Sequence, residues 1–376
     1  MTQTGRYTKT EALLMMTLCT FAYIDATSLP GESVVDQQTR MRRDIDAALA
    51  ASPYKDWQVA WGPGLTTDRS NMMFVATKPT TNNYAVIIRG TEWSFWLDWL
   101  QDFGAVLGLQ SYPYTLSSYT GAAPQIATGT AVGLDQLVQM TGSTSTGTQA
   151  SLTAFLEQLD PKADIVVTGH SLGGCLATVV APWLVSVLKQ GQALVVYTFA
   201  ASSAGDSAFA HYYNALFMDQ QNQTSTAFRL YNTLAVVPNE WASLAVVESY
   251  YTPSPSCTDD IKALIGAVQA IVGTRYAQVG TLDQKSAIPL TARVLAGPTG
   301  AAPIDPIGDT LFFFELQRQH ATTTYLQLLQ APPAQSALAA MAKLRGFAAA
   351  QALHDVPVTR SAKTAILAKH QSNKRR

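Results

Sequence analysis

The sequence predicts an α/β fold, a central and mostly parallel sheet covered on both faces by helices. Three observations carry that expectation. Short β-branched and aromatic runs alternate with helical segments along the second half of the chain, the pattern of strand–helix–strand units. One of those runs ends in a Gly-x-Ser-x-Gly turn that leads straight into an apolar helix. Of 376 residues, 47% are hydrophobic and only 14% charged, against roughly 25% charged in an ordinary soluble domain.

The charge count also excludes. With 25 Lys+Arg against 26 Asp+Glu and a net charge of −1, the chain lacks the basic footprint that nucleic acid requires. Disorder is excluded by the amount of apolar material available for burial. No apolar run reaches the roughly 18 uncharged residues of a membrane span. The low charge itself has two readings: a large core, or a surface that meets something apolar. Length suggests one large domain or two ordinary ones. Cys19, Cys175 and Cys257 are odd in number, scattered and without a CxxC spacing, so they fit neither a disulfide framework nor a zinc site.

Taken in order, the first element is a helix over residues 12–24. Arg6 and Lys9 ahead of this apolar stretch give it some likeness to a secretory leader. However, Glu11 stands at its edge, Thr17 and Thr20 interrupt it, and no small-x-small cleavage site follows. Leu14, Met15, Leu18, Phe21 and Ala22 fall at helical spacing, and Asp25 with Pro30-Gly31 ends the segment. A packed first helix is therefore expected rather than a cleaved leader, with location either cytoplasmic or outside by a leaderless route.

Strands are predicted at 57–61, 72–77, 84–89, 164–168, 194–199 and 227–231. Helices are predicted at 151–159, 174–189, 207–217 and 261–272. Residues 143–149, rich in Ser, Thr and Gly, read as a loop. So does 296–309, punctuated by three prolines and three glycines. After Gln330 the chain becomes Ala-rich and helical, and it ends in a basic tail with no acid after Asp355. That tail reads as a solvated terminus, with contact to anionic lipid or a partner as the alternative.

Gly169-His170-Ser171-Leu172-Gly173 is the most informative stretch. The β-branched run before it and the apolar helix after it supply the context in which this motif projects a serine hydroxyl from a tight turn. Gly169 and Gly173 leave room for backbones to pass where a Cβ would collide. The serine then stands at a helix N-terminus, whose free N–H groups and dipole favour developing negative charge. Ser171 is read as a nucleophile.

Further segments, in order, carry a resemblance. Tyr84-Ala-Val-Ile-Ile-Arg89-Gly90-Thr91 is a strand ending in Arg-Gly-Thr, followed by Asp98-Trp99-Leu100-Gln101-Asp102. Thr198-Phe199-Ala200-Ala201 precedes Gly205-Asp206-Ser207-Ala208-Phe209, and Gln319-His320 precedes Tyr325-Leu326. Together with the serine turn, these resemble the class 3 lipases. That α/β-hydrolase family contains fungal triacylglycerol lipases and related bacterial and plant lipases and phospholipases. The resemblance spans roughly residues 60–330.

What the resemblance implies is specific. The oxyanion would be held by the backbone N–H of Leu172 and by Thr91; without the family, Thr91 reads as a helix N-cap. The segment 93–103 holds three tryptophans and two phenylalanines. It would be an amphipathic lid that alternates between covering the pocket and meeting lipid, or else a helix buried under the C-terminal extension. His320 follows the serine in the chain order of the family and would be the general base. His170, next to the serine, points away from the hydroxyl by alternation.

The third triad position is anomalous. Asn232-Thr-Leu-Ala235-Val-Val-Pro238 resembles the family's Asn-x-x-Asp-x-Val-Pro turn, with Ala235 where the aspartate belongs. A methyl group accepts no hydrogen bond, so the imidazole loses its tautomeric anchor. Three readings stand: a substitution that silences an enzyme, an acid relocated to Glu240 or Asp206, or a binding protein descended from a lipase. The intact motif around one alanine favours the first. Asp206 stands where an N-cap is expected, and Glu240 comes five positions late. Residues 126–130 depart from the family's Val-His-x-Gly-Phe, and Ser202 stands in place of the usual proline.

The expectation is thus an α/β-hydrolase domain over 1–335 with an insertion at about 250–310, read as a second cap or as extra core. A helical extension with a basic tail covers 336–376. The function expected is hydrolysis of carboxylic esters of lipids, triacylglycerol or phospholipid. A lipid interface is the expected partner, a protein partner is left open, and no metal or organic cofactor is required. The rival is a catalytically dead lipid- or partner-binding module.

Overall fold

The computed structural model describes residues 7–90, 108–219, 224–251, 257–280, 287–291 and 308–333. The expected lid at 93–103, Thr91, most of the loop at 296–309 and the extension from 336 lie outside the described residues.

The chain begins with α1 (Lys9–Phe21). Thr8 caps it by accepting a hydrogen bond from the Glu11 N–H. Met15, Met16, Leu18 and Phe21 are completely buried, so α1 is part of the core, as its spacing predicts. Each such side chain stabilises the fold by about 1.5–3 kcal/mol. Next comes α2 (Val34–Ala51), capped by Ser33. It is not among the elements expected from the sequence, although Met41, Ile45 and Leu49 recur every four residues and all are buried. Its many charged residues obscure that narrow apolar stripe.

Three strands follow, β1 (Gln58–Leu65), β2 (Met72–Lys78) and β3 (Asn83–Ile88). A small hairpin is formed by β4 (Leu109–Ser111) and β5 (Gln125–Ala127), leading into α3 (Thr128–Val138). A second joins β6 (Thr141–Ser143) and β7 (Gln149–Ser151) around the predicted loop. The helix expected at 151–159 is only α4 (Leu152–Leu156).

The parallel half of the fold is β8 (Asp164–His170), α5 (Leu172–Val187), β9 (Ala193–Phe199) and α6 (Ser207–Phe217). A short hairpin, β10 (Met218–Asp219) with β11 (Thr224–Ser225), leads to β12 (Ala227–Asn232). After 3-10 helices at Val237–Asn239 and Leu244–Ser249 come α7 (Asp259–Val272) and β13 (Ala287–Leu290). The described chain closes with α8 (Gly308–His320) and α9 (Thr322–Leu328).

The main sheet has seven strands in the order β1-β2-β3-β8-β9-β12-β13. The pairings from β3 to β13 are parallel, and β1–β2 and β2–β3 are antiparallel. "Mostly parallel" therefore describes it, with an antiparallel margin. The strand β13 was not expected. It is four residues long and contains Pro289, tolerated because the strand lies at the sheet edge.

Alternation along the strands builds a core on each face. Val86, Ile88, Ile165 and Val167 pack with Leu176, Val180 and Leu184 of α5. Ala85, Ile87, Val166, Tyr197 and Phe199 pack with Met15, Met16 and Phe21 of α1 and with Tyr325 and Leu326 of α9. A third cluster contains Trp241, Tyr251, Ile261, Ile265 and Val268 together with Phe312 and Leu316 of α8. The described part of the insertion thus forms core of its own and buttresses the helix that ends in His320.

Candidate active site

The sheet delivers a serine at the carboxyl end of its middle strand by a strained turn. Ser171 follows β8 directly and starts α5, with φ +62° and ψ −131°. Such a conformation costs of order 1–3 kcal/mol, and the surrounding backbone fixes it. The Ser171 N–H donates to the Phe199 carbonyl at 2.9 Å, and the Gly174 and Cys175 N–H groups donate to the Ser171 carbonyl. Crowding explains the glycines. A Cβ at Gly169 would stand 2.1 Å from the Gly173 oxygen, and one at Gly173 would stand 2.3 Å from the Ile88 oxygen.

Leu172 is the first residue of α5, so its N–H has no acceptor within the helix and lies at the positive end of the helix dipole. Thr91, the other expected oxyanion donor, is outside the described residues. The preceding Gly90 is buried against the site. A Cβ there would fall 2.5 Å from the His170 oxygen, 2.5 Å from the Tyr23 hydroxyl and 3.1 Å from Ser171 Cβ.

His320 arrives from 149 residues away. Its Nε2 stands 2.8 Å from Ser171 Oγ, within hydrogen-bond range. Both the expected nucleophile and the expected base are therefore brought together. His320 is only 2% exposed.

Three carbonyls at the end of α8 fix the backbone of this histidine. The last four C=O groups of a helix lack intrahelical partners, and here side chains from separate elements supply them. Thr324 Oγ1 donates to the Arg318 oxygen at 2.5 Å, and Asn232 Nδ2 to the Gln319 oxygen at 2.7 Å. His170 Nε2 lies 2.9 Å from the His320 oxygen. Asn232 also donates to Gln319 Oε1 at 2.8 Å, and Gln319 Nε2 continues to Glu315 Oε1 at 2.7 Å.

Ala235 sits in the turn that Asn232 ties to α8. Its N–H donates to the Asn232 oxygen, and Leu234 N–H donates to Asn232 Oδ1. Tyr251 and Asn239 hold the Leu234 and Ala235 carbonyls. Ala235 is completely buried. The turn that carries the acid position is thus fully built, with a methyl group at that position.

Of the two acids named as substitutes, Asp206 is engaged elsewhere, and Glu240 is buried. Asp206 is the N-cap of α6, accepting from Phe209 N–H at 2.8 Å and from Gln125 N–H at 3.2 Å. Glu240 is 2% exposed, and Ser203 Oγ donates to its backbone oxygen. Burial above all, with the Glu240 carboxylate as a lesser cause, raises the Cys175 thiol's pKa.

Three contributors were not singled out from the sequence. Asn232 and Gln319 stood in quoted motifs, and only the fold shows that they meet. His170, expected to point away from the Ser171 hydroxyl, packs on the His320 ring. Among the described residues no group of three or more His, Cys, Asp or Glu could hold a metal ion, and no helix is long and apolar enough to cross a membrane.

A sheet of this order with a strand–turn–helix elbow at its centre is that of an α/β-hydrolase. Residues 85–241 match the family model of lipase (class 3). The crystal structure of M37 lipase superposes with a TM-score of 0.70 at 26% identity, covering 90% of this chain and 100% of that one. The Rhizomucor miehei triacylglyceride lipase gives a TM-score of 0.41 at 21% identity over 61% of this chain and 73% of its own. The family match and the M37 lipase superposition support assignment to the class 3 lipases, a family of lipid ester hydrolases.

Proposed function

We propose that Ser171 is the nucleophile and His320 the general base of a lipid carboxylic ester hydrolase. The observation that carries this reading is the 2.8 Å approach of His320 Nε2 to Ser171 Oγ at a strained elbow. His320 takes the hydroxyl proton as Ser171 attacks the ester carbonyl. The tetrahedral oxyanion is held by the Leu172 N–H with Thr91 as its partner. The protonated imidazole then gives its proton to the leaving alcohol. A water, deprotonated by the same ring, releases the fatty acid. Triacylglycerol and phospholipid are both substrates this chemistry serves.

Ala235 limits that cycle. An aspartate there would orient the imidazole and stabilise its charged form, and its loss costs roughly 10⁴-fold in turnover in related triads. On this reading the chain is a hydrolase with a vacant third position, slow as it stands. The second reading, a lipid- or partner-binding protein with a dead site, is favoured by that same buried methyl.

Hydrolysis of p-nitrophenyl butyrate by this chain and by Ala235→Asp separates the two. A gain of about 10³–10⁴-fold that disappears in Ala235→Asp/Ser171→Ala supports the hydrolase. No Ser171-dependent activity in the restored protein overturns it. The division into 1–335 and a helical extension at 336–376 is proposed alongside, and limited proteolysis near residue 335 tests it.

A further inference from the structure

The residue before the nucleophile faces the base. His170 is 4% exposed, and its Nε2 lies 2.9 Å from the His320 carbonyl oxygen. Its ring stands 4.8 Å from the His320 ring, centroid to centroid, tilted by 39°. Behind it, the Tyr23 hydroxyl lies 3.3 Å from His170 Nδ1. The Tyr325 ring meets the His170 ring edge-on at 5.6 Å.

A carbonyl oxygen only accepts, so His170 Nε2 carries the hydrogen of its bond to His320. In the neutral ring Nδ1 is then an acceptor, and the Tyr23 hydroxyl is the group placed to donate to it. The bond to His320 thus sets the tautomer of His170, and the Tyr23 hydroxyl stands 3.3 Å from Nδ1 and 3.5 Å from the His170 oxygen. The donor is not interchangeable with water, because both histidines are buried.

We infer that His170, held by Tyr23, is a positioning residue that places the base, fixing His320 through its backbone oxygen and its ring face. This inference rests on the reading of Ser171 and His320 given above. It also gives the vacant third position a structural context. With a methyl at 235, contacts from other positions orient the imidazole. His170 supplies one from the strand that carries the nucleophile itself. Nucleophile and base are then joined through adjacent residues of a single turn, so that Ser171 and His320 move together.

The test uses the full chain in its present form and with Ala235→Asp, each carrying His170→Phe, His170→Gln or Tyr23→Phe. Phenylalanine keeps the ring face and loses the donor. Glutamine keeps a donor at nearly the reach of Nε2. The readouts are kcat and KM for p-nitrophenyl butyrate in the Ala235→Asp proteins, and in all of them the rate at which a fluorophosphonate labels Ser171. The ¹⁵N resonances of the His320 ring are assigned by their loss in His320→Ala.

His170→Phe is expected to lower kcat and the labelling rate by about 10–100-fold, since misplacing a catalytic group by about 1 Å costs that much. KM stays within about twofold, because no substrate contact is removed. His170→Gln recovers most of the loss, Tyr23→Phe loses about 2–10-fold as for one hydrogen bond, and the His320 Nε2 resonance shifts in His170→Phe.

Equal kcat, equal labelling and an unshifted His320 resonance in His170→Phe would overturn the inference, as would a loss that His170→Gln does not recover. If His170→Phe unfolds, Tyr23→Phe and His170→Gln carry the same comparison. If Ser171 is never labelled, even with Ala235→Asp, the hydrolase reading fails. The His320 resonance still decides whether His170 positions that ring.

Discussion

Asn232 grips Gln319 twice, through Nδ2 to the backbone oxygen at 2.7 Å and to the side-chain oxygen at 2.8 Å. The two residues are 87 apart in the chain, and each lies near a proposed triad position: Asn232 opens the turn of Ala235, and Gln319 precedes His320. Tyr325 extends the tie by accepting from the Asn232 N–H at 2.9 Å. The place for an acid and the place for a base are therefore set by one buried amide.

Removing that amide separates the two positions. Asn232→Ala leaves the Gln319 oxygen buried without its donor, which costs about 2–3 kcal/mol of stability. Urea denaturation of Asn232→Ala against the parent measures it. In the Ala235→Asp background the same change is expected to undo most of the activity gain.

The elbow is intolerant of a single methyl. At Gly173 a Cβ would stand 2.3 Å from the Ile88 oxygen and 2.8 Å from the Gly90 N, backbone atoms that move only with the sheet. Gly173→Ala is expected to destabilise the fold by about 2–3 kcal/mol through overpacking and to abolish Ser171 labelling. Chemical denaturation and labelling of the same preparation check both effects.

Acid stability is shaped by the cluster after α1. Burial, with a hydrogen bond to Asp44 next, raises the Asp25 pKa to about 6, while Arg40 at 3.1 Å opposes the shift. A raised carboxyl means that the native state holds a proton the unfolded chain has released. Its contribution is full below the unfolded value near 4 and is lost as pH rises toward 6. Glu32, lowered chiefly by its hydrogen bond to Arg40, acts with the opposite sign, losing its contribution as pH falls. Asp25→Asn is expected to flatten the decline between pH 4 and 6 in melting experiments, and an unchanged slope would contradict this account.

Buried packing on the far face of the sheet is expected to matter as much as the site. Met15 of α1 is completely buried among the strands, and Met15→Ala is expected to cost about 2–5 kcal/mol. Denaturant midpoints at unchanged slope provide the check.

Local chemistry was legible in the sequence, and long-range meeting was not. Ser171 announced itself because a nucleophile on a strained turn demands glycines at fixed spacing, and those glycines leave a pattern. The parallel strands showed as β-branched runs because both of their faces are buried. The α2 helix escaped because Met41, Ile45 and Leu49 are a thin stripe among charges, and β13 because four residues including Pro289 carry no period. Asn232, Gln319, His170 and Tyr23 were visible as letters. Their placement depends on which elements reach the carbonyls at the end of α8, a property of the folded chain alone. His320 was found only because the resemblance supplied its context, and the structure then brought it to 2.8 Å from Ser171.

The most direct test is covalent. A fluorophosphonate incubated with the native chain, and with Ala235→Asp, is read by mass spectrometry of the tryptic peptides. The account predicts one adduct on Ser171 in both proteins, faster with Ala235→Asp and lost in His320→Ala. A restored protein that folds but carries no adduct on Ser171, or carries it equally well without His320, would contradict the claim that these two residues form a working nucleophile and base.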